Sequence, residues 1–125
     1  MSGLVEYSAD ARSKTIGQNF RCRAWVHFNG TGTPSIGASG NISSITDLGT
    51  GLYTCNFATA MTDNDYVIVC GATEHAPSGP MVSDRMVLVA RGSNAFSTSG
   101  ASVHCRDITA TTDRDQDDIC VAIFR

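Results

Sequence analysis

"CRAWVHFNGTGTPSIGAS", residues 22–39, decides between a nucleotide-binding fold and a sheet. Its first seven residues alternate, placing Cys22, Ala24, Val26 and Phe28 on one side and Arg23, Trp25 and His27 on the other, the period of a strand. The glycines that follow resemble a phosphate cradle, and a second "GTG" stands at 49–51. A dinucleotide fingerprint needs GxGxxG between a strand and a helix, so that backbone N–H groups and a helix N-terminus meet the phosphates. Here the spacing differs, Pro34 intervenes, no helical pattern follows, and no "GK[ST]" is present. Asn29-Gly30 is instead a tight-turn dipeptide, since both residues tolerate positive φ. Gly30, Gly32, Gly49 and Gly51 are therefore read as turn glycines, and no cofactor is expected.

The same pattern continues outward. Short runs rich in Val, Ile, Thr, Tyr and Phe occupy 22–28, 34–39, 41–46, 52–58, 65–72, 85–90, 95–99, 102–107 and 119–124, separated by Gly, Ser, Asn and Asp. No amphipathic stretch is long enough for a helix. About eight short strands at near-regular spacing predict an all-β fold, an antiparallel β-sandwich. Residues 1–20 are polar and weakly patterned and read as an arm that contacts a neighbour, with the sandwich domain over 21–125. Trp25, Phe28, Tyr53, Phe57 and Tyr66 sit singly in the strand runs. They are expected in the core or a subunit interface rather than on a base-stacking platform.

One internal repeat stands out. "CNFATAMTDNDYVIVCGA" (55–72) and "CRDITATTDRDQDDICVA" (105–122) align without a gap at an offset of fifty residues. They predict two equivalent strand–loop–strand corners. The aspartates of "DRDQDD" (113–118) begin like a calcium loop, but Asp118 occupies the glycine position and Phe124 the place of the bidentate acid. No metal is expected there. The five cysteines form no CxxC and no zinc spacing, and are read as free thiols filling small apolar sites.

The 125 residues carry nine Lys+Arg, with Lys14 the only lysine, against twelve Asp+Glu, a net charge of −3. That balance disfavours nucleic acid and anionic membranes, which need a concentrated cationic face. No apolar run approaches the roughly 20 residues of a membrane span, so no insertion is expected. "MSGLVEYSAD" has no basic start followed by an apolar stretch, which predicts synthesis in a cytoplasm without a secretory signal. His27, His75 and His104 accompany no G-x-S-x-G, and no catalytic residue is assigned. The stretch 73–84, with Glu74, His75, Pro77 and Pro80, lacks strand pattern and is the candidate exposed loop.

Residues 22–72 and the last run, "CVAIFR" (120–125), resemble a module of bacteriophage tail fibres and other virion proteins. The family pattern runs A-W-V-N-F-N-G-T-G, then S-x-N-V-S-S-I-T-D-x-G-T-G, then Y-T-V-N-F-x-x-A-M-x-D-x-x-Y. It falls on Ala24 to Gly32, Ser39 to Gly51 and Tyr53 to Tyr66, with His27 in place of the usual Asn and Cys55 in place of a small aliphatic residue. The resemblance implies a non-enzymatic virion protein made in the bacterial host cytoplasm, assembled as a homotrimer beside other virion proteins. As a tail-fibre-type module it would contact a host-surface glycan or protein. A capsid decoration protein is the alternative, and a glycan-acting hydrolase ranks behind both.

Overall fold

A computed structural model describes residues 21–73, 85–90, 95–107 and 112–125. The expected arm, 1–20, and the expected exposed loop with Glu74, His75, Pro77 and Pro80 lie outside the described residues. Eight strands follow one another: β1 (Cys22–Asn29), β2 (Ser35–Gly40), β3 (Ile42–Gly49), β4 (Leu52–Phe57), β5 (Val67–Ala72), β6 (Arg85–Val89), β7 (Gly100–Asp107) and β8 (Ile119–Phe124). They form two four-stranded sheets, β2-β1-β8-β5 and β3-β4-β7-β6, with every neighbouring pair antiparallel. The fold is an antiparallel β-sandwich.

Alternation builds the core. Ala24, Val26 and Phe28 of β1, Tyr53, Cys55 and Phe57 of β4, Ala101, Val103 and Cys105 of β7, and Ile119, Val121 and Ile123 of β8 are all buried between the sheets. Phe28 and Tyr53 meet edge to face across the sandwich at 5.3 Å between centroids, as Phe57 and Tyr66 do at 5.8 Å. Of the two places expected for Trp25, the core or a subunit interface, the first is excluded. The alternation that buries Val26 turns Trp25 outward, and it is 44% exposed on the outer face of the first sheet.

Strand direction alternates along the chain, so the connections divide between two ends. At the lower end Arg21 and Arg125 pair through backbone bonds of 3.3 and 3.0 Å. The turns at 30–34 and 50–51 and the tract at 112–118 lie at the upper end, beyond Asn29, Gly49 and Asp107. The run at 95–99 is not a strand. Ser97 Oγ accepts from the Ser99 and Gly100 N–H groups, and this local bonding folds the segment into a turn.

The repeat marks two equivalent corners. β4 and β7 are neighbours in one sheet, β5 and β8 in the other, and both repeat copies carry the chain from the first pair to the second. The ungapped alignment nevertheless fails at its end. Cys70 pairs with Val121 and faces inward with Ile68 and Ala72, whereas Cys120 pairs with Gly71 and faces out. One residue of difference in register reverses the face. Cys22 and Cys120 are exposed, so the reading of all five cysteines as fillers holds only for Cys55 and Cys105 and, in part, Cys70.

Burial pushes the Cys55 thiol up to about 12, with the Cys70 thiol adding to the effect. Burial also raises Cys70 and Tyr66. An unfolded thiol titrates near 8.5, roughly, so above that pH the unfolded chain releases protons that the folded chain retains. Stability is therefore full below about pH 8.5 and falls as pH rises toward 12. Denaturation at increasing alkaline pH should show this loss, and Cys55→Ala should make the decline shallower. An equally steep decline in that variant would place the titration elsewhere.

Candidate functional site

The upper end gathers most of the residues that the sequence singled out. Asn29 folds the first turn by accepting from the Thr31 N–H and hydroxyl at 2.8 and 2.5 Å. Gly32, Gly49 and Gly51 adopt positive φ of 62°, 137° and 72°, as turn glycines do. Gly30 does not. It is glycine for a different reason, because a Cβ there would overlap the Tyr53 hydroxyl. Gly51 meets both demands, since a Cβ would also strike the Cys105 carbonyl and the Arg114 backbone.

These turns are clasped by the aspartate tract. The Gly30 N–H donates to the Gln116 carbonyl at 2.8 Å, and the Gly51 N–H donates to Asp115 Oδ1 at 2.8 Å. The Cys105 N–H donates to the Gly51 carbonyl at 2.6 Å. Between them lies the Tyr53 hydroxyl, 2.8 Å from the Gly30 carbonyl and 2.7 Å from Asp115 Oδ1. Its single proton is shared by two acceptors. Burial, then the Asp115 hydrogen bond and charge, hold the Tyr53 phenol well above its ordinary pKa. Two N–H groups that a phosphate would require are thus already bonded within the chain.

The other acids of the tract are also engaged. Asp113 Oδ1 lies 2.8 Å from His104 Nε2 and 3.0 Å from Arg106 Nε. Asp118 Oδ1 lies 2.8 Å from His27 Nε2, and the Thr73 N–H donates to the Asp118 carbonyl at 3.1 Å. Gln116 is buried and donates to the Thr73 carbonyl at 2.8 Å. Asp117 is exposed and forms no ion pair among the described residues. Among those residues no group of three or more His, Cys, Asp or Glu side chains is placed to hold a metal ion.

The His27–Asp118 pair is the nearest approach to a catalytic arrangement. A cavity of about 210 Å³ beside it is lined by Asn29, Ser35, Asp117 and Asp118. A triad would need the second ring nitrogen on a nucleophile. Here His27 Nδ1 lies beside Gly37, 3.9 Å from where a Cβ would stand, and bonds no hydroxyl or thiol among the described residues.

Of the expected site residues, Gly30, Gly51 and Tyr53 come together here, with Phe28 packed beneath Tyr53. Phe57 and Tyr66 serve the lower half of the core, where the Tyr66 hydroxyl lies 3.0 and 3.1 Å from the Ser97 and Gly100 carbonyls. Asp115 and Gln116 were not anticipated. The repeat carried the signal for Gln116, because it aligns with Tyr66 and both are buried.

No protein-family model, curated protein or solved structure matches the chain.

Tyr53→Phe should cost about 1–2 kcal/mol, by leaving the Gly30 carbonyl and Asp115 short of a donor. Gly30→Ala should cost at least as much, because its Cβ forces Tyr53 from its place. Denaturant midpoints test both. An unchanged midpoint for Tyr53→Phe would mean that the hydroxyl braces nothing.

Proposed function

We propose that the protein is a non-enzymatic bacteriophage virion component, a tail-fibre-type exposed module that aids recognition of the host surface. The observation carrying this reading is the polarity of the sandwich. Both ends of the described chain meet at the lower end, through Arg21 and Arg125, while the upper end is a set of turns braced from within. A module joined to a particle at one end can present such turns at the other. Loops on a rigid scaffold are the usual carriers of recognition. Thr31, Thr33, Thr50 and Asp117 are exposed there, a polar surface suited to hydrogen bonding with a glycan or a protein.

Other copies of the chain, other virion proteins and a host-surface glycan or protein are the partners of this reading. Its test is adsorption. Purified protein should bind host cells and compete with phage attachment, and a Thr33→Ala, Thr50→Ala, Asp117→Ala variant should compete less while melting as the parent does. Unimpaired competition by that variant would remove the upper end from recognition. Densitometry of purified particles should give fibre stoichiometry, whereas hundreds of copies would assign the chain to head decoration instead.

A further inference from the structure

Asn41 is the one non-glycine with positive φ among the described residues, at 55°. A side chain in that conformation is disfavoured and persists only where its surroundings fix it, which makes such a position a pointer to function. Here four bonds fix it. The Asn41 carbonyl accepts from the Ala58 N–H at 3.1 Å, and Oδ1 accepts from the Thr59 N–H at 2.7 Å. Nδ2 donates to the Arg23 and Thr59 carbonyls, both at 3.1 Å. Asn41 thereby joins the start of β1 to the segment after β4, and buried Met61 anchors that segment in the core.

The joined segments wall a cavity of about 550 Å³ at the lower end, whose lining includes Arg21, Arg23, Arg125, Asn41, Thr59 and Thr62. Three arginines line it and no acidic side chain does. The aspartates of the tract 113–118 stand at the other end of the sandwich. Arg23 Nε donates to the Arg125 main-chain oxygen at 3.1 Å, which sets those two arginines side by side.

Several donors in the cavity are unspent. Arg125 Nη1 reaches Thr62 Oγ1 at 2.7 Å and Asp63 Oδ2 at 2.6 Å, while its Nε and Nη2 form no bond among the described residues. The Arg21 side chain is exposed and forms no hydrogen bond or ion pair among them. The Thr59 hydroxyl makes none either, and Thr62 Oγ1, an acceptor from Arg125, keeps its own proton to donate.

We infer that this cavity binds the carboxylate or phosphate group of a small hydroxylated ligand of the acidic-sugar class. A guanidinium presents parallel N–H donors that fit either oxyanion, and Arg21 and Arg125 have such donors to give. The threonine hydroxyls then meet hydroxyls of the ligand. A nucleic-acid backbone would call for an extended cationic face, whereas these arginines converge on one concavity. A bare ion would leave most of the space to water, since pockets of roughly 300–1,000 Å³ are those of organic ligands. The cavity lies at the opposite end from the turns assigned to recognition, and the inference does not rest on that assignment.

Calorimetric titration of the full chain tests it, with glucuronate and glucose 6-phosphate as the charged probes and glucose and inorganic phosphate as controls. Both charged sugars should saturate a single site, more weakly as salt is raised, and the tighter of the two identifies the preferred oxyanion. Glucose should give no saturable heat, and inorganic phosphate should bind more weakly than glucose 6-phosphate. Arg21→Ala should weaken binding at least about ten-fold, the loss of a charge-assisted contact, with an unchanged melting temperature because that side chain braces nothing. Asp63→Asn should tighten binding, since it releases Arg125 and removes the nearest negative charge; a purely structural role for the arginines would give no such gain. Absence of saturable binding by both charged sugars, equal binding of glucose, inorganic phosphate binding as tightly as glucose 6-phosphate, or indifference to Arg21→Ala would overturn the inference.

Discussion

The Tyr53 hydroxyl is the point on which the upper half of the molecule depends. Its ring is wholly buried and packs against Phe28 of the facing sheet, while its oxygen reaches Gly30 in one turn and Asp115 in the tract before β8. A buried phenol without partners would be costly, and a turn without a brace would fray. One side chain answers both needs. The requirement then passes outward: Gly30 cannot carry a Cβ because the hydroxyl is there, and Gly51 cannot because the tract is drawn against it. The two GTG stretches are glycine-rich for reasons of packing as much as of dihedral angle.

The strands were legible because their evidence is local. A period of two over six to eight residues with Gly, Asn and Asp at the breaks identifies a strand wherever the partner lies. Where the sequence was less legible, residue type or local bonding outweighed the pattern. The alternation of β1 sets Trp25 with Arg23 and His27 on the outer face, which leaves an interface as the one of its two expected places still open. Ser97 defeated the run at 95–99 by bonding its own neighbours, a competition that apolar pattern does not display. The clasp between Gly51 and Asp115 spans 64 residues and that between Tyr53 and Asp115 spans 62, and nothing local announces either.

The repeat explains how one corner can be used twice with different chemistry. In the first copy the buried position is Tyr66, whose hydroxyl closes the turn at Ser97. In the second it is Gln116, whose side-chain amide donates to the Thr73 carbonyl and whose backbone carbonyl accepts from the Gly30 N–H. A long aromatic can span from one corner into the core, whereas an amide offers a donor at closer range. The register difference that follows turns Cys70 inward and Cys120 outward, so the sheet gains an exposed thiol on its apolar face from a change of one residue.

The aspartate tract shows why a run of acids need not be a cation site. A calcium ion takes six to eight oxygens, roughly, from a loop that turns its carboxylates inward on a common point. Here the carboxylates diverge. Asp113 turns to His104 and Arg106, Asp115 to Tyr53 and the Gly51 N–H, and Asp118 to His27. Each is held by a donor belonging to a different strand, and a cation would have to displace those donors one at a time. What the acids supply instead is attachment: three side chains tie the segment before β8 to β1, β4 and β7. The tract is thereby the seam that closes the upper end, and the rigidity of the turns it holds is its product.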